Sequence, residues 1–378
     1  MIKICYIIPN LVYGGAERYI IEILKYFLLN KFPVELYLLI IKPNSEKDLL
    51  QEIPRSIKIK TLNFKSFKFI SSLLEINKAY KFVKSNNIDI IHSNLNLADF
   101  ISCLIKKRCP HLKLISTEHN TNQFRIKTYK SDIISRYKDL YRLKYTDKVI
   151  AISKSVRNYL LDHTNYSPDK VDIIYHGVDI KKFNATKYKR IILSDNNIIN
   201  VALIGRMVEQ KGHLFLLNIL SKLNKNIIEK YHFYFAGDGI FRSSIENKIR
   251  DYRLNNNITI LGNINWIPRL IYNVDAVIMP SRWEGFGIVA IEAGACKKPV
   301  IASNIDGLRE IVIHNQTGYL IDPTNEYKWI SLFMNISKQQ LFKMGLQAYK
   351  RIIKHFSMDK MMNETFKIYQ EIKYKDGY

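Results

Sequence analysis

The sequence predicts an α/β protein of two doubly wound domains, each built on a parallel sheet with helices on both faces. A chain of 378 residues is too long for one ordinary domain and is comfortable as two. Short β-branched runs alternate with longer helical patterns in both halves of the chain. The runs are apolar throughout, which is typical of strands buried on both faces, and right-handed crossovers then place helices on both sides of each sheet.

The predicted strands follow one another in chain order, and longer stretches with a helical pattern separate them. The first half contains the runs IKICYII, VELYLLII, IKIKTLNF, IDIIHSN, KLISTE, KVIAIS and VDIIYHG. The second half contains NVALIG, YHFYFAG, ITILGN, AVIMPS, PVIAS and GYLI.

The domain boundaries are predicted from the stretches that contain no strand. Residues 181–197 are polar with little periodicity and are predicted to link the domains. We therefore assign residues 1–184 to an N-terminal domain and residues 185–355 to a C-terminal domain. The tail beyond about residue 325 has a helical pattern, and we expect residues 356–378 to form a helix that packs back on the N-terminal domain.

The composition gives the chain a formal net charge of +24. Nucleic acid, an anionic membrane surface and phosphorylated small molecules are the polyanions that could use such a charge, while a general excess of Ile, Lys, Asn and Tyr is the simpler cause. Four cysteines without a CxxC pair predict reduced thiols and a cytoplasmic protein. No apolar run approaches the roughly 18 residues of a membrane span. Glycines and charges interrupt the apolar N-terminus too early for a signal peptide.

One loop of the second domain, GRMVEQKGH, is predicted to bind a diphosphate. In parallel sheets the ligand lies beyond the carboxyl ends of the strands, so two facing domains predict a site in the cleft between them. Gly205 and Arg206 end a strand here, and Lys211 and Gly212 open a helix. Glycine permits close backbone approach, and two cations beside a helix N-terminus suit a diphosphate. The alternative is a basic surface turn.

A second loop, SRWEGFGIVAIE, places Glu284 and Glu292 around a Gly-Phe-Gly where a strand passes into a helix. Ionised carboxylates only accept hydrogen bonds and would repel phosphate, so we expect them to bind sugar hydroxyls. The alternative is a pair of solvated acids at a helix start, where the helix dipole favours negative charge. The loops AGDGIFR and LGNINW are turns of the same kind and are less informative alone.

The pattern Glu, seven residues, Glu in EGFGIVAIE resembles the signature of retaining GT-B glycosyltransferases of family 4, the group 1 glycosyltransferases. GRMVEQKG, AGDG and LGNI follow the family's order, and GGAER, TEHN and IIYHGVD match it in the first domain. The resemblance therefore covers nearly the whole chain. It implies the GT-B fold, in which two Rossmann-like, doubly wound domains face each other across a cleft. The N-terminal domain would bind the acceptor and the C-terminal domain the nucleotide sugar.

The resemblance also implies roles for individual residues. The catalytic residues would be His119, near the reacting carbon, and Glu284, on the hydroxyls of the transferred sugar. The donor-binding residues would be Arg206 and Lys211 on the diphosphate, Gly14, Gly15, Gly285, Phe286 and Gly287 near phosphate or sugar, and Glu292 on the ribose.

The implied activity is that of a retaining hexosyltransferase. It would move a hexose-type sugar from a nucleotide sugar, UDP-linked by family habit, to a saccharide or polyprenyl-diphosphate-linked acceptor in cell-surface polysaccharide or glycolipid biosynthesis. The departing phosphate would help to deprotonate the acceptor during front-face attack. We expect no cofactor and no metal, and the chain contains no Asp-x-Asp.

The sequence departs from the family pattern at two places. His176 stands where the family has Asn before Gly-Val-Asp, and DGLRE, with Asp306 and Arg309, replaces Gly-Gly-x-Pro-Glu. A further histidine, His92, ends the run IDIIHSN and either faces the acceptor or is satisfied within the protein.

Two N-domain segments are rich in basic residues. Residues 64–84 carry five lysines against Glu75, and residues 124–145 carry seven basic residues against two aspartates. Exposed basic and aromatic groups favour an anionic leaflet by roughly 1 kcal/mol per Lys or Arg. We therefore expect peripheral attachment to the inner face of the cytoplasmic membrane, although amphipathic helices that cover a sheet would show the same apolar stripe.

Other classes of protein remain as alternatives. A GT-B phosphorylase or a nucleotide-sugar epimerase shares the fold, and a non-enzymatic nucleic-acid-binding protein would use the positive charge. The charge is dispersed rather than interleaved with aromatics on one concave face, so we expect no nucleic-acid partner. A dinucleotide-binding oxidoreductase is excluded because G-x-G-x-x-G does not follow the first strand, and a P-loop NTPase because GxxxxGK[ST] does not occur.

Overall fold

The computed structural model describes residues 1–12, 14–66, 70–120, 133–183 and 197–374. The chain forms two compact units, residues 1–175 with 361–378 and residues 176–360. Each unit has a parallel sheet with interleaved helices, which confirms the predicted α/β class.

The first unit contains a seven-stranded parallel sheet in the order β3-β2-β1-β4-β5-β6-β7. Its strands are β1 (Ile2–Ile8), β2 (Val34–Ile40), β3 (Lys58–Thr61), β4 (Ile90–Asn94), β5 (Lys113–Glu118), β6 (Lys148–Ala151) and β7 (Val171–Ile173). Its helices are α1 (Gly15–Leu29), α2 (Lys47–Gln51), α3 (Ile70–Ser85), α4 (Asn96–Arg108), α5 (Ile133–Tyr145) and α6 (Lys154–His163).

The second unit contains a six-stranded parallel sheet in the order β10-β9-β8-β11-β12-β13. Its strands are β8 (Ile199–Ile204), β9 (Tyr231–Ala236), β10 (Ile258–Gly262), β11 (Ala276–Met279), β12 (Val300–Ser303) and β13 (Gly318–Ile321). Its helices are α7 (His213–Leu220), α8 (Lys225–Ile228), α9 (Arg242–Asp251), α10 (Ile267–Asn273), α11 (Ile288–Ala295), α12 (Asp306–Ile311), α13 (Glu326–Asn335) and α14 (Lys338–His355).

The central strands of both sheets are buried on both faces, which explains why their sequences are apolar without alternation. Every residue of β8 is buried, and in β1 only Lys3 is partly exposed. β1 pairs with β2 and β4, so Ile4 lies between Leu36 and Ile90 in the register. This burial removes most of the apolar strand surface from water. Each Å² of buried apolar surface stabilises the fold by roughly 25 cal/mol.

The chain passes between the units earlier than the predicted boundary at residue 184. Residues 176–183 pack on the second unit because Val178 forms a backbone hydrogen bond with Phe356 (2.9 Å) and Cys296 Sγ donates to the carbonyl of Phe183 (3.5 Å). Most of the predicted linker, residues 184–196, lies outside the described residues.

The C-terminal helix α15 (Met358–Tyr374) belongs to the first unit from Met361 onward. Its Tyr369 hydroxyl is fully buried, 2.5 Å from the Tyr6 hydroxyl and 2.6 Å from His92 Nδ1. The other ring nitrogen of His92 lies 2.6 Å from Thr117 Oγ1. A chain of buried hydrogen bonds therefore joins α15 to β1, β4 and β5, and an ion pair between Lys373 and Asp89 adds to it. No helix in the described ranges is both long and apolar enough to cross a bilayer.

We expect Tyr369→Phe to lower the free energy of unfolding of the first unit by about 1–3 kcal/mol, because two buried polar partners lose their hydrogen bond. Thermal and urea unfolding would measure the change. Tyr374→Phe is the matched control, since Tyr374 lies on the same helix with its side chain exposed. Equal stabilities for the two variants would contradict this role of Tyr369.

Candidate active site

Both sheets change direction at a central pair of strands, β1 and β4 in the first unit and β8 and β11 in the second. The predicted site residues of the second unit follow β8 and β11. In the second unit the chain moves outward from β8 to β9 and β10, and in the other direction from β11 to β12 and β13. β8 and β11 are adjacent and parallel, so the loops after them meet at one edge. In doubly wound folds the ligand crevice lies at such a switch point.

The loops after β8 and β11 are held together by hydrogen bonds. The backbone N–H of Arg282 donates to the carbonyl of Gln210 (2.8 Å), and the Gln210 side chain donates to the carbonyl of Trp283 (3.1 Å). The two predicted ligand-binding loops therefore form one structure within the second unit.

Lys211 and Glu284 lie in contact at the centre of this structure. Lys211 Nζ donates to Glu284 Oε1 at 2.5 Å, and Ser281 Oγ donates to the same oxygen at 2.9 Å. The side chains are 19% and 7% exposed, so the pair is largely desolvated. Because removing one partner of a buried ion pair leaves an uncompensated charge at a cost of about 3–5 kcal/mol, the two residues depend on each other.

Two glycines in these loops adopt left-handed backbone conformations that other residues rarely adopt. Gly212 has φ +71°, and a Cβ there would overlap the carbonyl oxygen of Pro280. Gly287 has φ +107°, and a Cβ there would lie 2.6 Å from Leu308. Each glycine immediately precedes a helix, α7 or α11, so it permits both the turn and the close packing behind it.

The other predicted residues of the second unit occupy different environments. Arg206 is exposed directly after β8, and the described part of the chain shows no ion pair to it. Glu292 is partly buried on α11, the helix predicted to follow this loop, which begins at Ile288. The ring of Phe286 is buried and packs 5.7 Å from the rings of both His176 and Phe356, so only its backbone can serve a ligand in the predicted way.

The two departures from the family pattern are accommodated by packing. His176 is buried against Phe286. A Cβ on Gly307 would lie 2.7 Å from the Phe286 nitrogen, so this glycine permits α12 to lie against the Gly-Phe-Gly loop. Arg309 binds Asn304 through both its side-chain oxygen and its carbonyl (2.7 Å each), and thereby closes its own loop.

In the first unit, His119 lies at the end of β5 beside the start of α1. Its Nε2 donates to Asn94 Oδ1 at 2.9 Å, and its ring meets the edge of Tyr19 at 5.6 Å. Burial lowers the pKa of His119 to about 4, so the ring is neutral at physiological pH. Gly14 caps α1 and Gly15 is its first residue, on the same element as Tyr19. The structure thus brings the predicted residues of this unit to one edge of its sheet.

An ion cluster supports this edge, and one of its members was predicted to be part of the exposed basic surface. Arg142 is 7% exposed and pairs with Asp99 (3.0 Å) and Glu118 (3.1 Å). The expectation that Arg142 faces a membrane is therefore wrong, because its guanidinium group is buried and paired with acids inside the unit. Residues 121–132 of that basic segment lie outside the described residues.

His92 is also structural. It is fully buried in the hydrogen-bond chain to Tyr369 and does not face an acceptor. Sequence analysis missed Asn94 and Ser281, the partners of His119 and Glu284. Asn94 ends β4, which pairs with β5, and Ser281 lies in the same loop as Glu284, just after β11. Polar residues at or just after these strand ends were the available signal. Among the described residues, no group of three or more His, Cys, Asp or Glu side chains could hold a metal ion.

Comparison with known families covers almost the whole chain. Residues 184–354 match the family model described as Glycosyl transferases group 1, and residues 13–182 match Glycosyltransferase Family 4. The chain belongs to the group 1, family 4-like glycosyltransferases. The enzyme is a hexosyltransferase, and its two parallel sheets with interleaved helices form the GT-B fold.

Two curated relatives illustrate the range of the family. An uncharacterised glycosyltransferase of Methanocaldococcus jannaschii is 29% identical over 317 residues, which is 82% of this chain and 83% of the relative. The UDP-Gal:alpha-D-GlcNAc-diphosphoundecaprenol alpha-1,3-galactosyltransferase of Escherichia coli is 22% identical over 378 residues, which is 97% of this chain and 96% of the relative.

Solved structures support the same fold. A glycosyltransferase from Rickettsia africae has a TM-score of 0.79 at 25% identity and covers 98% of each chain. The Anabaena protein HepE, solved with UDP and glucose, has a TM-score of 0.82 at 19% identity, and the match covers 98% of this chain and all of HepE.

The glycosyltransferase should lose stability as the pH falls from 7.5 to 5. Burial lowers the pKa of His92 to about 3 and those of His119 and His213 to about 4. The unfolded chain, with histidine pKa values near 6.5, therefore binds more protons than the folded one in this range. The stabilisation is complete above about pH 6.5 and is lost by roughly 1.4 kcal/mol per histidine per pH unit below it.

Thermal unfolding at a series of pH values would measure this slope. His213→Leu should reduce it, because His213 is buried against Phe235 and neither of its ring nitrogens has a partner among the described residues. His163→Gln, at an exposed histidine of α6, should leave it unchanged. A melting temperature that does not vary between pH 7.5 and 5 would refute the prediction.

Proposed function

We propose that the enzyme transfers a hexose-type sugar from a UDP-linked donor to a saccharide or polyprenyl-diphosphate-linked acceptor, with retention of the anomeric configuration. The observation that carries the proposal is the direct contact between Lys211 and Glu284. A cation suited to a diphosphate and an acid suited to sugar hydroxyls share one hydrogen bond, so the diphosphate of a nucleotide sugar and the sugar attached to it can be bound side by side.

Donor binding would exchange this ion pair for contacts with the ligand. The diphosphate attracts Lys211 Nζ, which releases Glu284 Oε1 to accept hydrogen bonds from the sugar. Ser281 keeps the carboxylate in place during the exchange, since its bond to the same oxygen comes from the loop rather than from Lys211. Charge-assisted hydrogen bonds of this kind are worth about 1.5–3 kcal/mol each.

Transfer itself requires that negative charge on the departing diphosphate be neutralised. In the proposal, Arg206, Lys211 and the backbone amides of Gly285–Gly287 supply this positive potential without a metal, and Glu292 binds the ribose. Preorganised donors aimed at developing charge are commonly the largest contribution to catalysis. As the bond between the anomeric carbon and the phosphate oxygen breaks, that oxygen takes the proton of the acceptor hydroxyl. The acceptor oxygen forms its bond to the anomeric carbon on the face that the phosphate leaves, which retains the configuration.

The identity of the donor and of the acceptor is proposed by analogy with relatives. HepE was solved with UDP and glucose, and the name of the Escherichia coli relative specifies UDP-Gal and a diphosphoundecaprenol-linked acceptor. Both support a UDP-sugar donor for this chain, and the Escherichia coli relative also supports a lipid-linked saccharide acceptor, within cell-surface polysaccharide biosynthesis.

A thermal-shift screen of nucleotide sugars tests the donor. A UDP-sugar at about one hundred times its Kd should stabilise the enzyme by about 2.7 kcal/mol. Lys211→Met and Glu292→Ala should reduce the thermal shift caused by UDP and by every UDP-sugar. Glu284→Gln should mainly reduce the difference in thermal shift between UDP-sugars. Lys222→Met, at an exposed lysine of the same unit, is the matched control.

An unchanged UDP response in Lys211→Met would contradict the site, and an inverted anomer in the NMR spectrum of the product would contradict retention. Turnover that depends on inorganic phosphate would favour a phosphorylase instead, and interconversion of nucleotide sugars without an acceptor would favour an epimerase.

A lipid-linked acceptor calls for contact with a membrane, and α3 presents a suitable surface. Leu73 and Leu74 are 63% and 62% exposed, and the lysines Lys81 and Lys84 are exposed on the same helix. The one acid of α3, Glu75, is turned inward, where it accepts from the backbone of Asn63 at 3.0 Å. We propose that this basic and apolar face of α3 attaches the enzyme to anionic lipid.

Co-sedimentation with vesicles of phosphatidylglycerol and phosphatidylcholine tests the attachment. The double variant Lys81→Gln and Lys84→Gln should bind about 30-fold more weakly at low salt, because each lysine contributes about 1 kcal/mol near an anionic surface. The double variant Lys225→Gln and Lys230→Gln removes the same charge from the second unit and should bind as the parent does. Equal loss in both pairs would indicate a general charge effect rather than a docking face.

A further inference from the structure

The turn between β4 and α4 is strained next to His119. Leu95 has φ +73° and ψ +147°, a combination that a residue with a side chain seldom adopts. Such conformations persist only where the surrounding structure determines them, and they concentrate at functional sites. The residue before it, Asn94, is completely buried and carries the amide that contacts His119.

The orientation of the Asn94 amide defines which ring nitrogen of His119 carries hydrogen. Asn94 Nδ2 lies 3.5 Å from the carbonyl oxygen of His92, so the amino group faces that acceptor and Oδ1 faces His119. The reverse orientation would place two carbonyl oxygens against each other. An amide oxygen can only accept, so Nε2 of His119 must be the protonated nitrogen of the neutral ring.

Hydrogen bonds and ion pairs between neighbouring residues hold together the strand ends that carry Asn94 and His119. Ser93 and Ser116, the neighbours on β4 and β5, both donate to Asp99 Oδ1, at 2.6 and 2.7 Å. Arg142 joins the other oxygen of Asp99 to Glu118, the residue directly before His119. This buried cluster of hydrogen bonds and ion pairs holds the spacing between the two strand ends and hence the Asn94–His119 distance.

We propose that Asn94 is a positioning residue for sugar transfer, which holds His119 as the Nε2–H tautomer at the carboxyl edge of the first sheet. The proposal rests on the proposed function only in that His119 is taken to act in the reaction. The tautomer itself follows from the contact with Asn94. His119 then works as a neutral ring of fixed orientation, in the way that hydrogen-bonded partners orient functional histidines in other sites.

The charged and titratable groups around His119 are consistent with a neutral ring. Tyr19 approaches from α1 with its ring edge, and His92 on β4 is itself buried and neutral. Glu118 is adjacent in sequence, but its carboxylate is paired with Arg142. An acid in place of Asn94 would therefore place a negative charge directly against the Nε2–H group.

Asn94→Asp is the test variant because it keeps the shape and the acceptor while adding a negative charge. Nitrogen-15 NMR of histidine-labelled enzyme, with the His119 signals identified by their loss in His119→Gln, reports the tautomer and the protonation directly. The parent should show the Nε2–H form down to about pH 5. In Asn94→Asp the protonation midpoint should rise by at least about one pH unit, and the acid limb of kcat should rise with it, while the KM for the donor changes little.

Asn158→Asp, at an exposed position of α6 in the same unit, adds the same charge at the surface and should leave the NMR midpoint and the pH profile as in the parent. Asn94→Leu should populate both tautomers and lower kcat. An Nδ1–H form in the parent, or an unmoved midpoint in Asn94→Asp, would overturn the proposal. An NMR midpoint that moves while kcat and its pH profile stay unchanged would uphold the positioning by Asn94 and contradict the proposed role of His119.

Discussion

The parallel arrangement of the strands is the constraint on which the rest of the structure depends. Because each sheet is parallel and covered by helices on both faces, the strand-to-helix turns of a sheet emerge at the same edge, and the central strands are largely apolar. Polar groups are therefore concentrated at the strand ends, where they are partly buried and must find partners. Lys211 with Glu284 and His119 with Asn94 are two results of this one requirement, in separate units.

The two pairs differ in charge, and this difference determines what each can do chemically. In the second unit Lys211 and Glu284 form a largely buried ion pair, so the net charge of the pair is small until a ligand separates the two side chains. In the first unit a neutral amide satisfies a neutral ring, and no charge is present to be divided. The two edges therefore suit different tasks: one responds to a charged ligand, while the other keeps an uncharged group in a defined orientation.

Burial of polar groups extends beyond the site and serves the fold of the first unit. Tyr6, His92, Thr117 and Tyr369 form a continuous chain of hydrogen bonds through the core, and Arg142 ties α5 to the strand ends. Such groups are costly to bury without partners, and each has one here. These hydrogen bonds define the position of α15, which comes last in the sequence, relative to β1, β4 and β5. Not all of the chain's positive charge is on its surface, since Arg142 is buried and forms ion pairs in the interior.

The sequence by itself determined the alternation of strands and helices, the two parallel sheets and the loops whose motifs resemble those of the family. These are properties of local periodicity and of motif order, which can be read along the chain. Only the tertiary structure decided which groups meet, because the partners are far apart in sequence: 73 residues separate Lys211 from Glu284, 25 separate Asn94 from His119, and 277 separate His92 from Tyr369. It also decided that Arg142 and His92 are interior groups, since a charged or polar residue at a helical or strand position has the same sequence pattern whether it faces solvent or a buried partner.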